Sequence, residues 1–359
     1  MDGTVLIADD DRSIRTVLTQ ALTRAGCRVH ATGSLQQLLR WAEEGRGDLV
    51  VTDVMMPDGN GIDLIPAIRR ARPDLPVIVI SAQNTMVTAL RAAEAEAFEY
   101  LPKPFDLPDL LGKSREALAR RARRAPTEAE PPSTLPEEGQ GAALSLIGHA
   151  PSMQALFRLV ARIVNADLPV VVSGAPGTGK STLARALHAF SDRRGAGLAV
   201  LTPADGGAAA IEAAFARAAG GTLLIENPAG FDAQAQARLL AAIEAADRPE
   251  DGSASGADNP GPRVVATMEA DPQAAVENGA LRADLFYRLA GVRVDIPPLT
   301  ARLDDIPALA AHLMARAEAQ GIAPRPLGGE ALAALRAHHF PGNVRELDNL
   351  LRALALTGS

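Results

Sequence analysis

Along the first 110 or so residues, short apolar, β-branched runs alternate with longer stretches whose apolar positions recur at helical spacing. The runs typical of strands are Thr4–Ala8, Arg28–Ala31, Leu49–Asp53, Val77–Ser81 and Phe98–Leu101. The stretches typical of helices are Arg12–Ala25, Leu35–Glu44, Ile62–Ala71, Thr85–Glu94 and Leu107–Arg124. Strands that alternate with helices in this way form a parallel sheet with helices on both faces. The pattern predicts a doubly wound α/β domain over residues 1–120.

The pattern changes twice further along the chain. Residues 121–143 are rich in Pro, Glu, Gly and Ala without a hydrophobic period, which predicts a linker. A second alternating α/β region covers residues 144–299, and residues 249–262 within it are typical of a flexible surface insertion. Residues 300–359 show only helical spacing, which predicts a helical lid on the second domain. The lid helices are predicted at Ile306–Ala319, Gly329–His338 and Val344–Ala355.

Composition excludes several classes of protein. Of 359 residues, 47% are hydrophobic and 22% are charged, which is typical of a globular chain, and the net charge of −7 argues against whole-chain electrostatic binding of nucleic acid. The longest apolar runs are too short to span a bilayer, and the N-terminus has no leader pattern. Cys27 alone allows no internal disulfide and no Cys-rich zinc site. We therefore expect a cytosolic protein that has no membrane partner.

Charged and polar side chains follow the predicted strands of the first domain. Doubly wound sheets bind ligands beyond the carboxyl ends of their strands. The residues at those ends are Asp9 to Asp11, Asp53, Ser81 and Lys103. Acids from neighbouring strands repel one another unless a hard cation such as Mg²⁺ lies among them, because carboxylate oxygens are its preferred ligands. An ammonium and a hydroxyl beside them suit the oxygens of a transferred phosphoryl group.

With these residues, the segment 1–120 resembles a response-regulator receiver domain, which has a flavodoxin-like fold. The residues around Asp53 and Lys103 are especially similar to the nitrogen-regulation branch, NtrC. The resemblance implies that Asp53 accepts a phosphoryl group from a sensor histidine kinase. It also implies that Mg²⁺ is held, with help from a backbone carbonyl near Met55, by Asp9, Asp10 and Asp53.

The receiver resemblance implies further roles around the phosphoacceptor. Ser81 and Lys103 are expected to contact the phosphoryl group, and Tyr100 is expected to report the switch between states. The Lys103–Pro104 peptide is expected to be cis, which is compatible with an X–Pro bond at a tight turn. The helix Leu107–Arg124 leaves the domain and is a candidate dimerisation element.

The second domain carries the pattern G-x-x-x-x-G-K-[ST] between an apolar strand and a helix. Glycines in such a loop let backbone N–H groups surround phosphates, while the lysine reaches the β- and γ-phosphates. Since the chain otherwise prefers arginine and has lysine only at 103, 113 and 180, a specific role for Lys180 is favoured. The predicted ligands of ATP are Gly174, Gly177, Thr178, Gly179, Lys180, Ser181 and Thr182, with Ser181 also on Mg²⁺.

Residues 144–359 resemble the AAA+ domain of bacterial enhancer-binding activators, a P-loop α/β domain with a helical lid. The motifs that carry the resemblance are LIGHAPSMQALFRLVARI, LRADLFYRL, IPPLTARLDDIP and FPGNVRELDN. The resemblance implies that Leu146–Gly148 lies near the adenine and that Arg345 is a sensor arginine of the lid. It also implies that Arg282 and Arg288 reach the nucleotide of a neighbouring subunit. The alternative for each arginine is a salt bridge on a helix surface.

The second domain departs from this family at its catalytic positions. Where the family has apolar-Asp-Glu, this chain has Glu226 and Asn227. Glu226 can still order Mg²⁺ through water, but an amide at 227 accepts no proton near neutral pH, and losing a general base typically costs about 10²- to 10⁴-fold in rate. Met268 and Glu269 stand where the family prefers Thr and a polar Asn or His. An anion beside the γ-phosphate is unfavourable. We therefore expect ATP binding with weak or no hydrolysis.

Two family segments are missing from this sequence. The stretch between Lys180 and Gly220 contains no GAFTGA, the loop with which these activators engage the nitrogen-type sigma factor. In this respect the chain resembles unusual NtrC-type regulators that act with housekeeping-type polymerase and use nucleotide for assembly. The family's helix-turn-helix is also absent before Ser359, so we expect DNA contact to come from a further part of the protein or from another chain.

The sequence thus predicts a phosphorylation-controlled transcription regulator of nitrogen metabolism. Its expected partners are a sensor histidine kinase, RNA polymerase and further copies of itself, as a dimer or a higher oligomer. Two alternatives stay open. One is an active AAA+ ATPase that remodels a protein partner, with another acid replacing Asn227. The other is an oligomerisation scaffold that does not turn over nucleotide.

Overall fold

The structure is a computed structural model that describes residues 1–82, 85–123, 146–247, 261–269, 271–322 and 327–357. The chain divides into two compact units, Met1–Glu138 and Gly139–Ser359. Residues 124–143 of the predicted linker and residues 249–260 of the predicted insertion lie outside the described residues. Among the helices in the described ranges, none is long and apolar enough to cross a bilayer.

The first unit is built on a parallel sheet whose strand order is β2-β1-β3-β6-β7. The strands are β1 (Thr4–Ala8), β2 (Arg28–Thr32), β3 (Leu49–Asp53), β4 (Met55–Met56), β5 (Gly59–Asn60), β6 (Val77–Ser81) and β7 (Glu99–Pro102), of which β4 and β5 pair antiparallel. The helices are α1 (Arg12–Arg24), α2 (Leu35–Glu43), α3 (Ile65–Ala71), α4 (Met86–Glu94) and α5 (Leu107–Arg123). The predicted doubly wound, flavodoxin-like fold is confirmed.

Burial on both faces explains why the central strands of this sheet are continuous apolar runs. Alternate side chains of β1, β3 and β6 pack on one face against Leu18 and Leu22 of α1 and Leu110 of α5. The prediction that a helix begins at Ile62 is wrong by three residues, because α3 begins at Ile65 with Pro66 in its first turn. Proline favours that position, since its fixed φ suits the first turn and its missing N–H is not needed there.

The second unit contains another parallel sheet, in the order β12-β8-β11-β10-β9. Its strands are β8 (Val170–Ser173), β9 (Leu198–Leu201), β10 (Thr222–Glu226), β11 (Arg263–Met268) and β12 (Val292–Asp295). The helices before the lid are α6 (Pro151–Ile163), α7 (Lys180–Ala189), α8 (Ala208–Arg217), α9 (Ala233–Ala246), α10 (Pro272–Glu277) and α11 (Ala283–Leu289). The predicted P-loop α/β fold is confirmed.

The lid consists of α12 (Ile306–Ala319), α13 (Gly329–Ala337) and α14 (Asn343–Thr357), as the helical spacing predicted. These helices share a small apolar core of their own. Its buried members include Leu299, Leu309, Leu313, Phe340 and Leu351.

The lid is joined to the phosphate loop through the first residue of α14. The Asn343 side chain is 3% exposed; its Oδ1 accepts the Leu299 N–H at 2.7 Å, and its Nδ2 donates to the Pro176 carbonyl at 2.8 Å. Gly177 lies so close that a Cβ there would be 2.1 Å from the carbonyl oxygen of Gly342. The lid therefore fixes the loop by contacts that any side chain at 177 would break.

We expect Asn343→Gly to lower the free energy of unfolding of the second unit by about 2 kcal/mol, roughly 1 kcal/mol for each lost hydrogen bond. Asn343→Ala should cost about 1 kcal/mol more, because position 343 has a φ of 53° that disfavours a Cβ. Thermal unfolding of the two variants beside the wild type measures both contributions. A glycine variant as stable as the wild type would contradict the role given to this side chain.

Candidate functional sites

The first candidate site lies at the carboxyl edge of the first sheet. Asp9 and Asp10 directly follow β1, and Asp53 ends β3 beside it. One carboxylate oxygen from each of the three residues lies within 4.8 Å of the others. Asp9 and Asp53 are buried, at 1% and 5% exposure, whereas Asp10 is exposed. The edge therefore brings together two buried acids and one solvated acid.

The Lys103 ammonium bridges the two buried acids. Its Nζ donates to Asp9 Oδ2 at 2.7 Å and also to Asp53 Oδ2. Burial raises the pKa of Asp9, and the hydrogen bond from Lys103 only partly opposes that effect. Burial lowers the pKa of Lys103, but the hydrogen bonds to Asp53 and Asp9 outweigh burial, so this pKa lies above its usual value. The buried acids thus depend on a cation for neutralisation.

The donor set of this site fits Mg²⁺. Three carboxylate oxygens at this spacing, one of them open to solvent, match the oxygen ligands and retained water of that ion. The Met55 N–H donates to Asp53 Oδ1 at 3.3 Å, and the Asp11 N–H donates to Asp9 Oδ1 at 2.9 Å. These backbone bonds orient the carboxylates before any ion binds.

Two further predicted residues lie on the neighbouring strands. Ser81 is the last residue of β6, and Tyr100 lies in β7. Ser81 is fully buried, and its carbonyl accepts the Lys103 N–H at 2.6 Å. Tyr100 is 5% exposed; burial raises the pKa of its hydroxyl, against a hydrogen bond with Ser81. The Lys103–Pro104 peptide is cis, as predicted.

Two residues that shape this site were missed by the sequence reasoning. Arg15 Nη1 donates to the carbonyls of Asp9 and Asp10, at 2.6 and 2.9 Å, and so fixes the loop after β1. Gly61 approaches the backbone so closely that a Cβ would lie 2.0 Å from the Asp53 carbonyl oxygen. The glycine and asparagine cluster at 59–61 was an available turn signal, whereas nothing in the sequence distinguishes Arg15 from other surface arginines.

The second candidate site is a cavity of about 390 Å³ around the loop between β8 and α7. The predicted loop residues Gly177, Thr178, Gly179, Lys180, Ser181 and Thr182 line it, whereas Gly174 begins the loop with a φ of 150°. One end of the cavity is apolar, formed by Leu146, Ile147, Leu309, Leu313 and Val344. The cavity therefore combines apolar side chains, which suit a base, with a glycine-rich loop, which suits phosphates.

Lys180 closes back onto its own loop. It is 8% exposed, and its Nζ donates to the carbonyls of Gly174 and Ala175 at 2.9 and 3.0 Å. Burial lowers the pKa of Lys180; Glu269 opposes this shift and Arg345 adds to it. The hydrogen-bond partners of this ammonium among the described residues are neutral carbonyl oxygens, and a buried cation in such surroundings strongly favours an anionic ligand.

The acidic positions differ in part from the sequence expectation. Glu226, Asn227 and Glu269 line the cavity, but Met268 is buried in the core at 1% exposure, and Thr267 lines the cavity instead. The reason is the side-chain alternation of β11, which sends neighbouring residues to opposite faces. Asn227 has the left-handed φ of 50° and ψ of 66°, a conformation that asparagine tolerates better than glutamate.

The structure separates the three predicted arginines. Arg345 lines the cavity, and its backbone N–H donates to the Gly177 carbonyl at 3.3 Å. Arg282 and Arg288 lie at α11, where they pair with Asp284 and Asp247 and do not line the cavity. Both side chains are more than 40% exposed. Within one chain these two arginines are surface ion pairs.

Arg302 is a cavity residue that the sequence reasoning missed. It is 2% exposed, and its Nη2 donates to the Thr178 carbonyl at 3.3 Å while Nη1 contacts Met153 Sδ. Burial lowers its pKa, and Asp305 partly opposes that shift. Nothing local in the sequence marks it, because its partners lie more than 120 positions away.

The fold and the two sites define a regulator in which a receiver domain precedes an AAA+ domain of the sigma-54 interaction type. The family described as "Response regulator receiver domain" matches residues 5–115, "Sigma-54 interaction domain" matches residues 147–299, and "AAA+ ATPase lid domain" matches residues 300–359.

Relatives specify the family further. The chain is 42% identical to the DNA-binding transcriptional regulator NtrC of Azospirillum brasilense, over 98% of this chain and 76% of that one. It is 33% identical to NtrC of Escherichia coli strain K12, over 99% and 78%. The chain belongs to the NtrC family of nitrogen-regulation response regulators. Among solved structures, NtrX from Brucella abortus in complex with ADP is similar, with a TM-score of 0.53 and 26% identity over 99% of this chain and 82% of that chain.

Replacing Lys103 by Gln leaves Asp9 and Asp53 buried with no ammonium between them. We expect the first unit to lose about 3 kcal/mol of unfolding free energy, which is typical when one partner of a buried ion pair is removed. Mg²⁺ should restore part of this loss, because the ion takes over the neutralisation of the acids. Thermal unfolding with and without Mg²⁺ measures both effects.

Lys113→Gln is the matched control for this prediction. Lys113 lies on α5, and its Nζ is 2.7 Å from a carboxylate oxygen of Glu99 in β7, but the Lys113 side chain is 27% exposed. We therefore expect a loss of unfolding free energy below about 1 kcal/mol and no recovery with Mg²⁺. Equal losses in the two variants, or no response of Lys103→Gln to Mg²⁺, would show that the bridge is not what holds the acids.

Proposed function

We propose that the protein is a phosphorylation-controlled transcription regulator of nitrogen metabolism. In this proposal Asp53 is the phosphoacceptor, and the AAA+ domain binds ATP for assembly and hydrolyses it weakly or not at all. The observation that carries the proposal is the bridge of Lys103 between Asp9 and Asp53, which joins an ion site to a nucleophilic carboxylate. Membership of the NtrC family supports the nitrogen-regulation output.

The phosphotransfer step follows from the groups at the sheet edge. A carboxylate oxygen of Asp53 attacks the phosphorus of a sensor kinase's phosphohistidine, the P–N bond breaks, and its electron pair returns to the imidazole nitrogen. Lys103 exchanges its contact with Asp53 for a phosphoryl oxygen, and Ser81 contacts another. Mg²⁺, when bound by Asp9, Asp10 and Asp53, supplies charge stabilisation for the transferred group. Tyr100, packed beside Ser81, transmits the change to the helix α4 face.

ATP binding follows from the second cavity. The apolar end receives the base near Leu146 and Ile147, and the loop N–H groups with the start of α7 surround the phosphates. Lys180 leaves the carbonyls of Gly174 and Ala175 to meet the β- and γ-phosphates. Ser181, with Glu226 acting through water, would hold Mg²⁺, which would supply charge stabilisation for the phosphates. The NtrX structures in complex with ADP and ATP, which share 26% identity with this chain, support this assignment.

Weak hydrolysis follows from Asn227. Its side chain lines the cavity where a general base is needed, and an amide cannot accept the proton of attacking water. Bound ATP then acts as a ligand that favours the assembled form by mass action.

Assembly on further copies of the chain uses the surface of α11. Tyr287 is 74% exposed between Arg282 and Arg288, and an exposed aromatic flanked by cations is typical of an interface. In the assembly, Arg282 and Arg288 would leave their acid partners and contact the phosphates of the nucleotide bound by the neighbouring subunit. The proposed assembly then contacts RNA polymerase.

The connection between β9 and α8 supports an action that does not remodel the nitrogen-type sigma factor. Residues 202–207 join the two elements through the 3₁₀ turn Pro203–Asp205, a compact link. The stretch from Lys180 to Gly220, which contains this connection, has no GAFTGA sequence. We therefore propose that this protein activates housekeeping-type polymerase.

A second candidate, an active remodelling ATPase, is favoured by one observation. Glu269 lines the same cavity as Asn227 and offers a carboxylate in place of the missing base. In that case turnover would be readily measured and lost in Glu269→Gln.

We expect Asp53→Asn to abolish labelling of the protein by acetyl phosphate with Mg²⁺, because an amide is no nucleophile for phosphorus. Asp58→Asn is the control: Asp58 is exposed after the same strand and accepts a hydrogen bond from Ser34 at 2.7 Å. Mass spectrometry of the intact chain measures labelling. Persistent labelling of Asp53→Asn would remove the phosphoacceptor assignment.

Wild-type protein should bind ATP with little turnover, and Lys180→Ala should abolish binding. Asn227→Glu should raise turnover by about 10²-fold or more by restoring a base, whereas Asn227→Gln, equally long and equally strained at this φ, should not. Steady-state phosphate release measures this. High wild-type turnover, or equal rates in the two variants, would contradict the proposed role of Asn227.

A further inference from the structure

The phosphate end of the nucleotide cavity carries a second acid besides Glu226. Glu269 directly follows β11, which lies between β8 and β10 in the sheet. The register pairs Met268 with Ser173, the last residue of β8, so Glu269 leaves the sheet level with Gly174 at the start of the phosphate loop. Its side chain is exposed and lines the cavity. It therefore lies at the strand ends from which the phosphate loop also starts.

Glu269 acts electrostatically on the lysine that must hold the ligand. The Glu269 carboxylate and the Lys180 ammonium line the same cavity, where their opposite charges attract each other. A carboxylate that attracts Lys180 competes with any further anion brought to the same ammonium.

The position of a third phosphate follows from the strand ends. A loop of this type surrounds the first two phosphates of a nucleotide with its backbone N–H groups. The next phosphate must extend past the loop toward the ends of β10 and β11, where Glu226 and Glu269 both line the cavity. In the proposed function Glu226 faces the metal, whereas no metal is assigned to Glu269, whose carboxylate repels the third phosphate.

We propose that Glu269 makes this site favour nucleoside diphosphates over triphosphates. The inference rests on the proposed nucleotide binding and adds a specificity determinant to it. The terminal phosphate of a diphosphate is held by the loop and Lys180 and stays clear of Glu269. A triphosphate meets both acids and gains less from Lys180, which Glu269 already attracts.

The test compares two nucleotides on the full chain with Mg²⁺. A fluorescent mant-ADP is displaced by ADP or by the hydrolysis-resistant β,γ-imido analogue of ATP, and the ratio of the two Kd values is determined. We expect wild type to bind the diphosphate at least as tightly as the triphosphate. In Glu269→Gln the ratio should shift about fivefold toward the triphosphate, the size expected for a solvent-exposed charge pair.

Glu277→Gln is the control, because Glu277 is exposed at the end of α10, outside the cavity lining, and carries the same charge change. Its ratio should equal that of wild type. An unchanged ratio in Glu269→Gln, or an equal gain for both nucleotides, overturns the assignment of Glu269 while leaving nucleotide binding intact. A wild type that binds neither nucleotide overturns the proposed nucleotide function and this inference together.

Discussion

Parallel strands deliver all of their carboxyl ends to one edge of a sheet, and both units of this protein depend on that constraint. In the first unit the edge collects Asp9, Asp53 and Lys103 from three different strands. In the second it collects the phosphate loop after β8, Glu226 at the end of β10 and Glu269 after β11. The backbone hydrogen-bond ladder of the sheet ends at each of these edges. Charged side chains from segments that are remote in sequence therefore meet there, above the apolar core.

The two edges treat their charges in opposite ways. The receiver buries two acids and neutralises them with one ammonium, so the charge balance is internal and sensitive to any ion that enters. The AAA+ cavity buries its cation, Lys180, against neutral carbonyls and leaves Glu269 in solvent. The first edge is poised to exchange one cation for another, and the second is poised to accept an anion.

Much of both sites was predictable because the informative residues sit at strand ends or in a short motif. To predict Asp53, Lys103 and Lys180, it was enough to recognise a strand and the residues at or just after its end. Thr267 was missed in favour of Met268 because a one-residue error in register sends the opposite side chain to the cavity. Arg302 and Asn343 could not be found locally, since their partners Thr178 and Pro176 lie more than 120 positions earlier. Their chemistry is contact with the loop, which sequence spacing does not encode.

The side chain of Asn343 has a mechanical consequence. It accepts a hydrogen bond from the Leu299 N–H, where the chain leaves the sheet for the lid, and donates one to the carbonyl of Pro176 in the phosphate loop. A rotation of the lid about residue 299 would therefore strain the loop at the Asn343 amide, at the hydrogen bonds from Arg345 and Arg302 to the loop carbonyls, and at the close Gly177–Gly342 contact. The lid and the phosphate loop are therefore mechanically coupled, so that a shift of the loop would be passed to α14 through these contacts.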